Sequence, residues 1–126
     1  MFKNEVIDVV QKRLRNGVKD QEGRNEYIRN LANGWIFAHE NVNCPDNVKQ
    51  EALKAVAALE LDFGAVDVVV DKEGKAYVLE VNTAPGLENQ QTIQAYTNAF
   101  NNYKKKEEEK QYANKQQHKM FNRFIY

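Results

Sequence analysis

The stretch FGAVDVVVDKEGKAYVLEVNTAPG, residues Phe63–Gly86, decides how this chain folds. It contains two β-rich runs, Phe63–Val70 and Ala76–Asn82, on either side of the polar sequence DKEGK. Valine, tyrosine and phenylalanine favour strands, and Gly74 can adopt the positive φ that a tight turn requires. The stretch therefore predicts a β-hairpin.

Three side chains that carry oxygen ligands lie in this hairpin: Asp67, Glu80 and Asn82. Because side chains alternate across a strand, Glu80 and Asn82 are predicted to share a face with Val78. Carboxylate and amide oxygens on rigid strands suit a hard cation, Mg²⁺ or Mn²⁺, which keeps several waters and is usually shared with substrate phosphates. We therefore predict a divalent-cation site if Asp67 joins the other two.

The length of the turn determines whether Asp67 joins them. A two-residue loop at Glu73-Gly74 places Asp67 directly opposite Glu80, with the Cβ atoms about 5 Å apart. Two carboxylates at that distance repel each other unless a cation or a proton lies between them. A three-residue loop with a glycine bulge instead places Asp67 opposite Leu79 and removes the pair. The sequence permits both registers.

A turn of small residues, Thr83–Gly86, follows Asn82. Backbone with so little side-chain bulk lets another molecule approach closely, which the end of a solvated strand does not require. This turn favours a binding site over the alternative that Asp67 and Glu80 are merely polar residues on a solvent-facing sheet.

The rest of the chain predicts an α+β fold: a mostly antiparallel sheet of about four strands, with two helices on one face and a long charged C-terminal helix. Trp35 and Phe37 are expected in the core. Residues 1–103 are predicted to form the compact domain, and residues 104–126 a charged helical extension or a frayed tail. The further predicted elements are a strand at Glu5–Val10, a loop at Asn16–Asn33, a strand at Gly34–Val42, a helix at Pro45–Leu59 and a helix from about Gln90.

Composition excludes several classes of function. The 126 residues carry 18 Lys plus Arg and 18 Asp plus Glu, so no net charge attracts the chain to nucleic acid, and a nucleic-acid partner is not expected. Cys44 is the single cysteine and cannot form an intramolecular disulfide. No apolar run approaches the roughly 20 residues that span a bilayer. These features predict a cytoplasmic protein without a membrane partner.

The segments LDFGAVDVVV and YVLEVNTAPGLE resemble the C-terminal part of ATP-grasp carboxylate-amine ligases, and are most similar to ribosomal-protein glutamate ligases and related phage proteins. Asp67, Glu80 and Asn82, followed by Pro85-Gly86, match the metal-binding signature of that family. The resemblance also covers QKRLRNG and the run from Asn33 to Val68, and it ends near residue 100.

The resemblance implies an enzyme that phosphorylates a carboxylate with ATP and lets an amine attack the acyl-phosphate. It implies that Mg²⁺ or Mn²⁺ bound by the three oxygen ligands bridges the phosphates of ATP. It also implies that Arg29, as a catalytic residue, and Asn30, Lys12 and Arg13 face the phosphates or the carboxylate substrate.

In the family, the lysines that touch the phosphates and the segment that binds adenine precede the first strand seen here. We therefore expect a truncated ligase that is inactive as an isolated chain and needs an N-terminal half or a homodimer partner. The alternative is a non-catalytic remnant that binds metal, nucleotide or a protein partner.

Overall fold

The computed structural model describes residues 1–17, 23, 25 and 27–124, with side chains described as far as Met120. It divides into two compact units, Met1–Gly86 and Leu87–Tyr126. The α+β class is confirmed. The described residues form β1 (Gln11–Leu14), β2 (Trp35–Ala38), α1 (Asp46–Ala58), β3 (Ala65–Val70), β4 (Ala76–Asn82) and α2 (Gln90–Phe124), with a 3-10 turn before β2 at Leu31–Asn33.

The four strands are present as two antiparallel pairs, β1 with β2 and β3 with β4, instead of as one sheet. In the first pair, the register runs from Gln11 opposite Ala38 to Leu14 opposite Trp35. A two-stranded ribbon is marginal by itself, so each pair needs packing against other parts of the chain.

The predicted strand at Glu5–Val10 is wrong, because the first strand begins only at Gln11. No ladder among the described residues pairs with most of the earlier segment, and Val6 packs against the core instead. The second strand is also shorter than predicted and ends at Ala38. Of the predicted loop at Asn16–Asn33, residues 18–22, 24 and 26 lie outside the described residues.

The core of the first unit lies between α1 and the β3–β4 hairpin. Ala52 and Val56 are one helical turn apart on α1, and both are buried together with Met1. The helix begins at Asp46, one residue later than predicted, and the Asn47 side-chain amide donates to the carbonyl oxygen of Gly74 at 2.8 Å. Around the buried residues pack Val6, Leu53, Leu61, Val66, Val68 and Val81.

The hairpin turns in three residues, Lys72–Gly74, so the two-residue loop is wrong. Asp71 N–H donates to the carbonyl oxygen of Lys75 at 3.0 Å and closes the turn. Gly74 has φ +88°, the left-handed conformation predicted for it. A turn of this length, continued without irregularity, would place Asp67 opposite Leu79.

A β-bulge at Leu79 changes that outcome. Val68 faces Val78, but Asp67 faces Glu80, so Leu79 has no partner in the ladder. Since a shift of one residue moves every later side chain to the other face, the extra residue turns Glu80 toward Asp67 and Val81 toward the core. The hairpin thus combines a three-residue turn with the Asp67–Glu80 pairing, which neither predicted register does.

The Asp71 carboxylate organises the turn. Its Oδ1 accepts from the backbone N–H groups of Glu73 and Lys75, each at 2.9 Å, and its Oδ2 accepts from the Tyr77 hydroxyl at 3.2 Å. The Lys75 amide is the main cause that holds the pKa of Asp71 below its usual value. Burial, the next-largest effect, raises the pKa, and the Glu73 and Tyr77 donors lower it by smaller amounts.

We expect Asp71→Ala to lower the melting temperature of the first unit at neutral pH, because three donors lose their acceptor. The pKa of Asp71 is lower in the folded state than in the unfolded state. The carboxylate therefore stabilises the fold above about pH 4 and ceases to do so as the pH falls through the folded-state pKa. Thermal unfolding at pH 7 and at pH 3 checks this, with Glu73→Ala as a control. If wild type and Asp71→Ala differed in melting temperature by the same amount at both pH values, the pH-dependent stabilisation by Asp71 would be contradicted.

The second unit is dominated by α2, which is 35 residues long and begins at Gln90, as predicted. Asn89 Oδ1 accepts from the N–H groups of Gln91 at 2.8 Å and Thr92 at 3.3 Å, which satisfies the start of the helix. Farther along, Lys110 pairs with Glu107 at 3.2 Å on the exposed surface. In the part of the chain that is described, no helix is long and apolar enough to cross a membrane.

Candidate metal and phosphate site

The predicted ligands lie on the face of the hairpin that points away from the core. Asp67 faces Glu80, and Asn82 faces Ala65 at the end of β4. The predicted sharing of this face with Val78 is wrong. The bulge at Leu79 interrupts the alternation of side chains along β4, so Val78 and Glu80 point to opposite faces. Val78 pairs with Val68, which packs against the core.

Asn82 has a second function in the local backbone. Its Oδ1 accepts from the N–H of Ala84 at 2.9 Å, which bends the chain into the small-residue turn at Thr83–Gly86. A side-chain amide oxygen has two lone pairs, so one remains for another partner. The same atom can therefore shape the turn and face a ligand.

Lys12 reaches this site from β1. Its Nζ lies 3.0 Å from Asp67 Oδ2, with the lysine side chain 37% and the aspartate side chain 51% exposed. Phe37, directly opposite Lys12 on β2, has its ring centroid 5.9 Å from the same nitrogen. The structure thus brings a predicted phosphate-facing lysine together with a predicted metal ligand 55 positions away.

Phe37 is an exposed aromatic residue near the site. Its side chain is exposed, so the expectation that it belongs to the core is wrong, whereas Trp35 is half-buried. The cross-strand pairing with Lys12 accounts for its position, because the ring lies beside the lysine side chain. This pairing of Phe37 with Lys12 depends on the β1–β2 register. Because the boundaries predicted for both strands were wrong, the pairing was not predicted.

Arg13 follows Lys12 but is engaged elsewhere. Its guanidinium donates to the carbonyl oxygens of Glu40, at 3.2 Å, and Asn41, and its Nε donates to Gln11 Oε1 at 2.7 Å. Asn41 has φ +52°, so these bonds hold a strained turn after β2. These contacts describe a structural function, and the prediction that Arg13 faces a phosphate or substrate stays a prediction.

We expect Arg13→Ala to lower the free energy of unfolding of the first unit by about 2 kcal/mol, since hydrogen bonds from a charged donor contribute about 1.5–3 kcal/mol each before the remaining exposure is considered. Denaturant unfolding measures the change. Arg15→Ala, at an exposed position just after the same strand, is the control and should change stability by less than about 0.5 kcal/mol. Equal effects of the two variants would contradict the structural function of Arg13.

Arg29 and Asn30 are also accounted for by local contacts. The Arg29 guanidinium carbon lies 5.0 Å from the Trp35 ring centroid, a cation–π arrangement. Asn30 Oδ1 accepts from Asn33 N–H at 3.1 Å and from Asn33 Nδ2 at 2.8 Å, which caps the 3-10 turn. Trp35 and Phe37 alternate on β2 and share a face, so Arg29 stacks on the same side of the ribbon as Lys12.

The residues at Asp67 fit a hard divalent cation in their chemistry: two opposed carboxylates, one amide oxygen and no sulfur or imidazole. Within residues 1–17, 23, 25 and 27–124, no group of three or more His, Cys, Asp or Glu residues could hold a metal ion. The described part of the chain therefore supplies two carboxylates at this site. The remaining ligands of a cation here would be Asn82, water or the oxygens of a substrate.

A family model described as D-ala D-ala ligase C-terminus matches residues 3–105. The chain belongs to the D-Ala-D-Ala ligase C-terminal family. This family is the C-terminal part of an ATP-grasp-type ligase, so the predicted ATP-grasp membership is confirmed. The resemblance to ribosomal-protein glutamate ligases and phage proteins within that class stays a prediction.

Two curated proteins are similar to this member of the D-Ala-D-Ala ligase C-terminal family. D-alanine--D-alanine ligase of Aquifex aeolicus (strain VF5) is 34% identical over 88 residues, 69% of this chain and 29% of that protein. D-alanine--D-alanine ligase B of Clostridium perfringens (strain 13 / Type A) is 44% identical over 43 residues, 33% of this chain and 14% of that protein. The chain thus spans less than a third of the length of either relative, and no solved structure matches it.

Proposed function

We propose that this chain supplies the cation-holding part of an ATP-dependent ligase that joins a carboxylate to an amine. The observation that carries this proposal is the pairing of Asp67 directly opposite Glu80 on the exposed face of the hairpin, with the Lys12 ammonium 3.0 Å from Asp67. Two carboxylates placed face to face repel each other, and Lys12 supplies only one positive charge against their two negative charges, so their arrangement favours a binding function over a structural one. Membership of a ligase family supports the same conclusion.

In this proposal Asp67, Glu80 and Asn82 hold Mg²⁺ or Mn²⁺. The cation, when bound, neutralises the negative charge that develops on phosphate oxygens during phosphoryl transfer. The carboxylates contribute the charge that attracts the cation, and Asn82 adds a neutral oxygen at the entrance to the small-residue turn. None of the three acts as an acid or base.

The cationic side chains have a separate task in the proposed ligase. Lys12 and Arg29 lie on one side of the β1–β2 ribbon and are proposed to bind the phosphates of ATP or the carboxylate substrate. Asn30 precedes the 3-10 turn next to Arg29 and is proposed to orient it. Arg13 contributes by holding the turn after β2.

The matched part is a minor share of either curated relative, so we propose that ligation requires the portions of the ligase that the matches do not cover. Both curated relatives are named as ligases of D-alanine with D-alanine. The resemblance of LDFGAVDVVV and YVLEVNTAPGLE to glutamate ligases points to a glutamate substrate instead. ADP release from a complete ligase that contains this part, with D-alanine alone or with L-glutamate plus a separate carboxylate acceptor, distinguishes the two choices of substrate.

Isothermal titration of the 126-residue chain with Mg²⁺, with and without ATP, tests the proposed site. We expect one site, and we expect Asp67→Asn to weaken binding by at least about tenfold through the loss of one charged ligand. Glu73→Gln removes a carboxylate from the turn of the same hairpin and serves as the matched control. Identical binding by wild type and Asp67→Asn would show that the carboxylate pair does not hold a cation.

A further inference from the structure

The ammonium group of Lys12 lies beside Asp67 Oδ2, an oxygen that a divalent cation at this site would bind. Its Nζ is 3.0 Å from Asp67 Oδ2, and Asp67 in turn faces Glu80 across the hairpin. The lysine therefore supplies one positive charge beside two opposed carboxylates. A divalent cation that binds Asp67 through this oxygen must displace the ammonium or share the carboxylate with it.

The lysine is held in place from the neighbouring ribbon. Phe37 lies opposite it in the register of β1 and β2, and the ring centroid is 5.9 Å from Nζ. Its neighbour Arg13 donates to backbone carbonyl oxygens after β2 and is not in the same position. Of these two neighbouring cationic residues, Lys12 is the one whose side chain contacts Asp67.

The ion pair is weak enough to be exchanged. Lys12 and Asp67 remain 37% and 51% exposed, and pairs of this kind contribute little stability because water and salt screen them. The flexible four-carbon chain of lysine lets the ammonium move to another anion without a change in the backbone.

We propose that Lys12 is an internal competitor for the divalent cation and moves from Asp67 to a phosphate when the cation arrives bound to a nucleotide. The proposal rests on the proposed function of the Asp67–Glu80 pair as a cation site. A free divalent cation that displaces the ammonium leaves it without an anion. A cation that carries a polyphosphate provides the anion, so the site selects metal–nucleotide over free metal.

Titration of the full chain with Mn²⁺ alone and with preformed Mn²⁺–ATP tests this proposal. For Lys12→Met, we expect free Mn²⁺ to bind about three- to tenfold more tightly. The variant lacks a positive charge that repels the cation measurably even at the dielectric constant of water. The preference of wild type for Mn²⁺–ATP over Mn²⁺ should fall by about tenfold in this variant, since the phosphate also loses a partner.

Two variants serve as matched controls. Lys12→Arg keeps the charge and should bind free Mn²⁺ within about twofold of wild type. Lys75→Met removes a lysine whose Nζ lies 5.0 Å from the Tyr77 ring in the same hairpin, and it should leave both affinities unchanged. Circular dichroism confirms that each variant folds, which we expect because an exposed ion pair contributes little stability.

The outcomes separate this inference from the proposed function. If Asp67→Asn weakens Mn²⁺ binding while Lys12→Met binds like wild type, the cation site stands and the competition by Lys12 is refuted. If Lys12→Met binds free Mn²⁺ more tightly but its preference for Mn²⁺–ATP is unchanged, the transfer to phosphate is refuted. If wild type, Lys12→Met and Asp67→Asn all fail to bind Mn²⁺ in either form, the proposed function fails and this inference fails with it.

Discussion

Glu80→Lys should abolish divalent-cation binding to this chain while leaving the hairpin folded. The substitution removes one carboxylate and places an ammonium opposite Asp67, the residue that faces Glu80 in the ladder. A change from a negative to a positive charge near a divalent cation weakens binding by at least about a hundredfold, even with the screening expected at an exposed site. Titration with Mn²⁺ measures the loss.

The same substitution should raise the stability of the first unit even though it abolishes cation binding. Like charges that face each other across strands are destabilising, and an opposite-charge pair contributes about 0.2–1 kcal/mol. Glu80→Lys converts the first arrangement into the second, but Lys12 already pairs with Asp67 and lies near the new ammonium, so the free energy of unfolding of the first unit should rise by less than about 1 kcal/mol. Denaturant unfolding in the absence of divalent cations measures this gain.

Glu80→Gln is the control for the charge reversal. It relieves the repulsion but keeps an amide oxygen, so we expect weaker cation binding than in wild type and stronger binding than in Glu80→Lys. A loss of cation binding together with a loss of stability in Glu80→Lys would indicate a damaged hairpin. Unchanged binding in that variant would exclude Glu80 from the cation site.

Val56→Asp should unfold the first unit. Val56 is 3% exposed on α1, and it packs in the core with Met1 and Ala52. The side chains that line this core are apolar, and no buried polar or charged side chain is found in the described part of the chain. An unpaired buried charge costs several kcal/mol, which is a large fraction of the 5–15 kcal/mol that stabilises an ordinary domain.

Thermal unfolding followed by near-UV circular dichroism checks the effect of Val56→Asp, with loss of the cooperative transition as the expected result. Ala57→Asp places the same side chain at the adjacent, exposed position on α1 and should cost less than about 1 kcal/mol. If Val56→Asp melts at the wild-type temperature, the core described for the first unit does not stabilise it.

Local patterns predicted much of the fold. The two β-rich runs around DKEGK correspond to β3 and β4, and helical spacing located α1 and the start of α2. These features depend on residues close together in the chain, so alternation and periodicity suffice to find them. The spacing of Asp67, Glu80 and Asn82 also predicted the oxygen ligands, whose function as a cation site stays a prediction.

The β1–β2 ribbon could not be located in the same way. Both Glu5–Val10 and Gly34–Val42 contain apolar residues that favour strands, yet the ladder runs only from Gln11 to Leu14 and from Trp35 to Ala38. Which residues pair depends on how two distant segments meet, and strand propensity does not determine that. The contact of Lys12 with Asp67 follows from this placement and was not predicted.

Local sequence patterns alone predict the hairpin and the helices. They also predict three oxygen-bearing side chains near the open end of the hairpin. The tertiary structure alone decided that Asp67 meets Glu80, because the three-residue turn would have aligned Asp67 with Leu79. The bulge at Leu79 resolves this by turning Val81 toward the core formed with α1 and Glu80 toward solvent. Burial of an apolar side chain against a distant helix stabilises that register, and local sequence preference contains no information about such a contact.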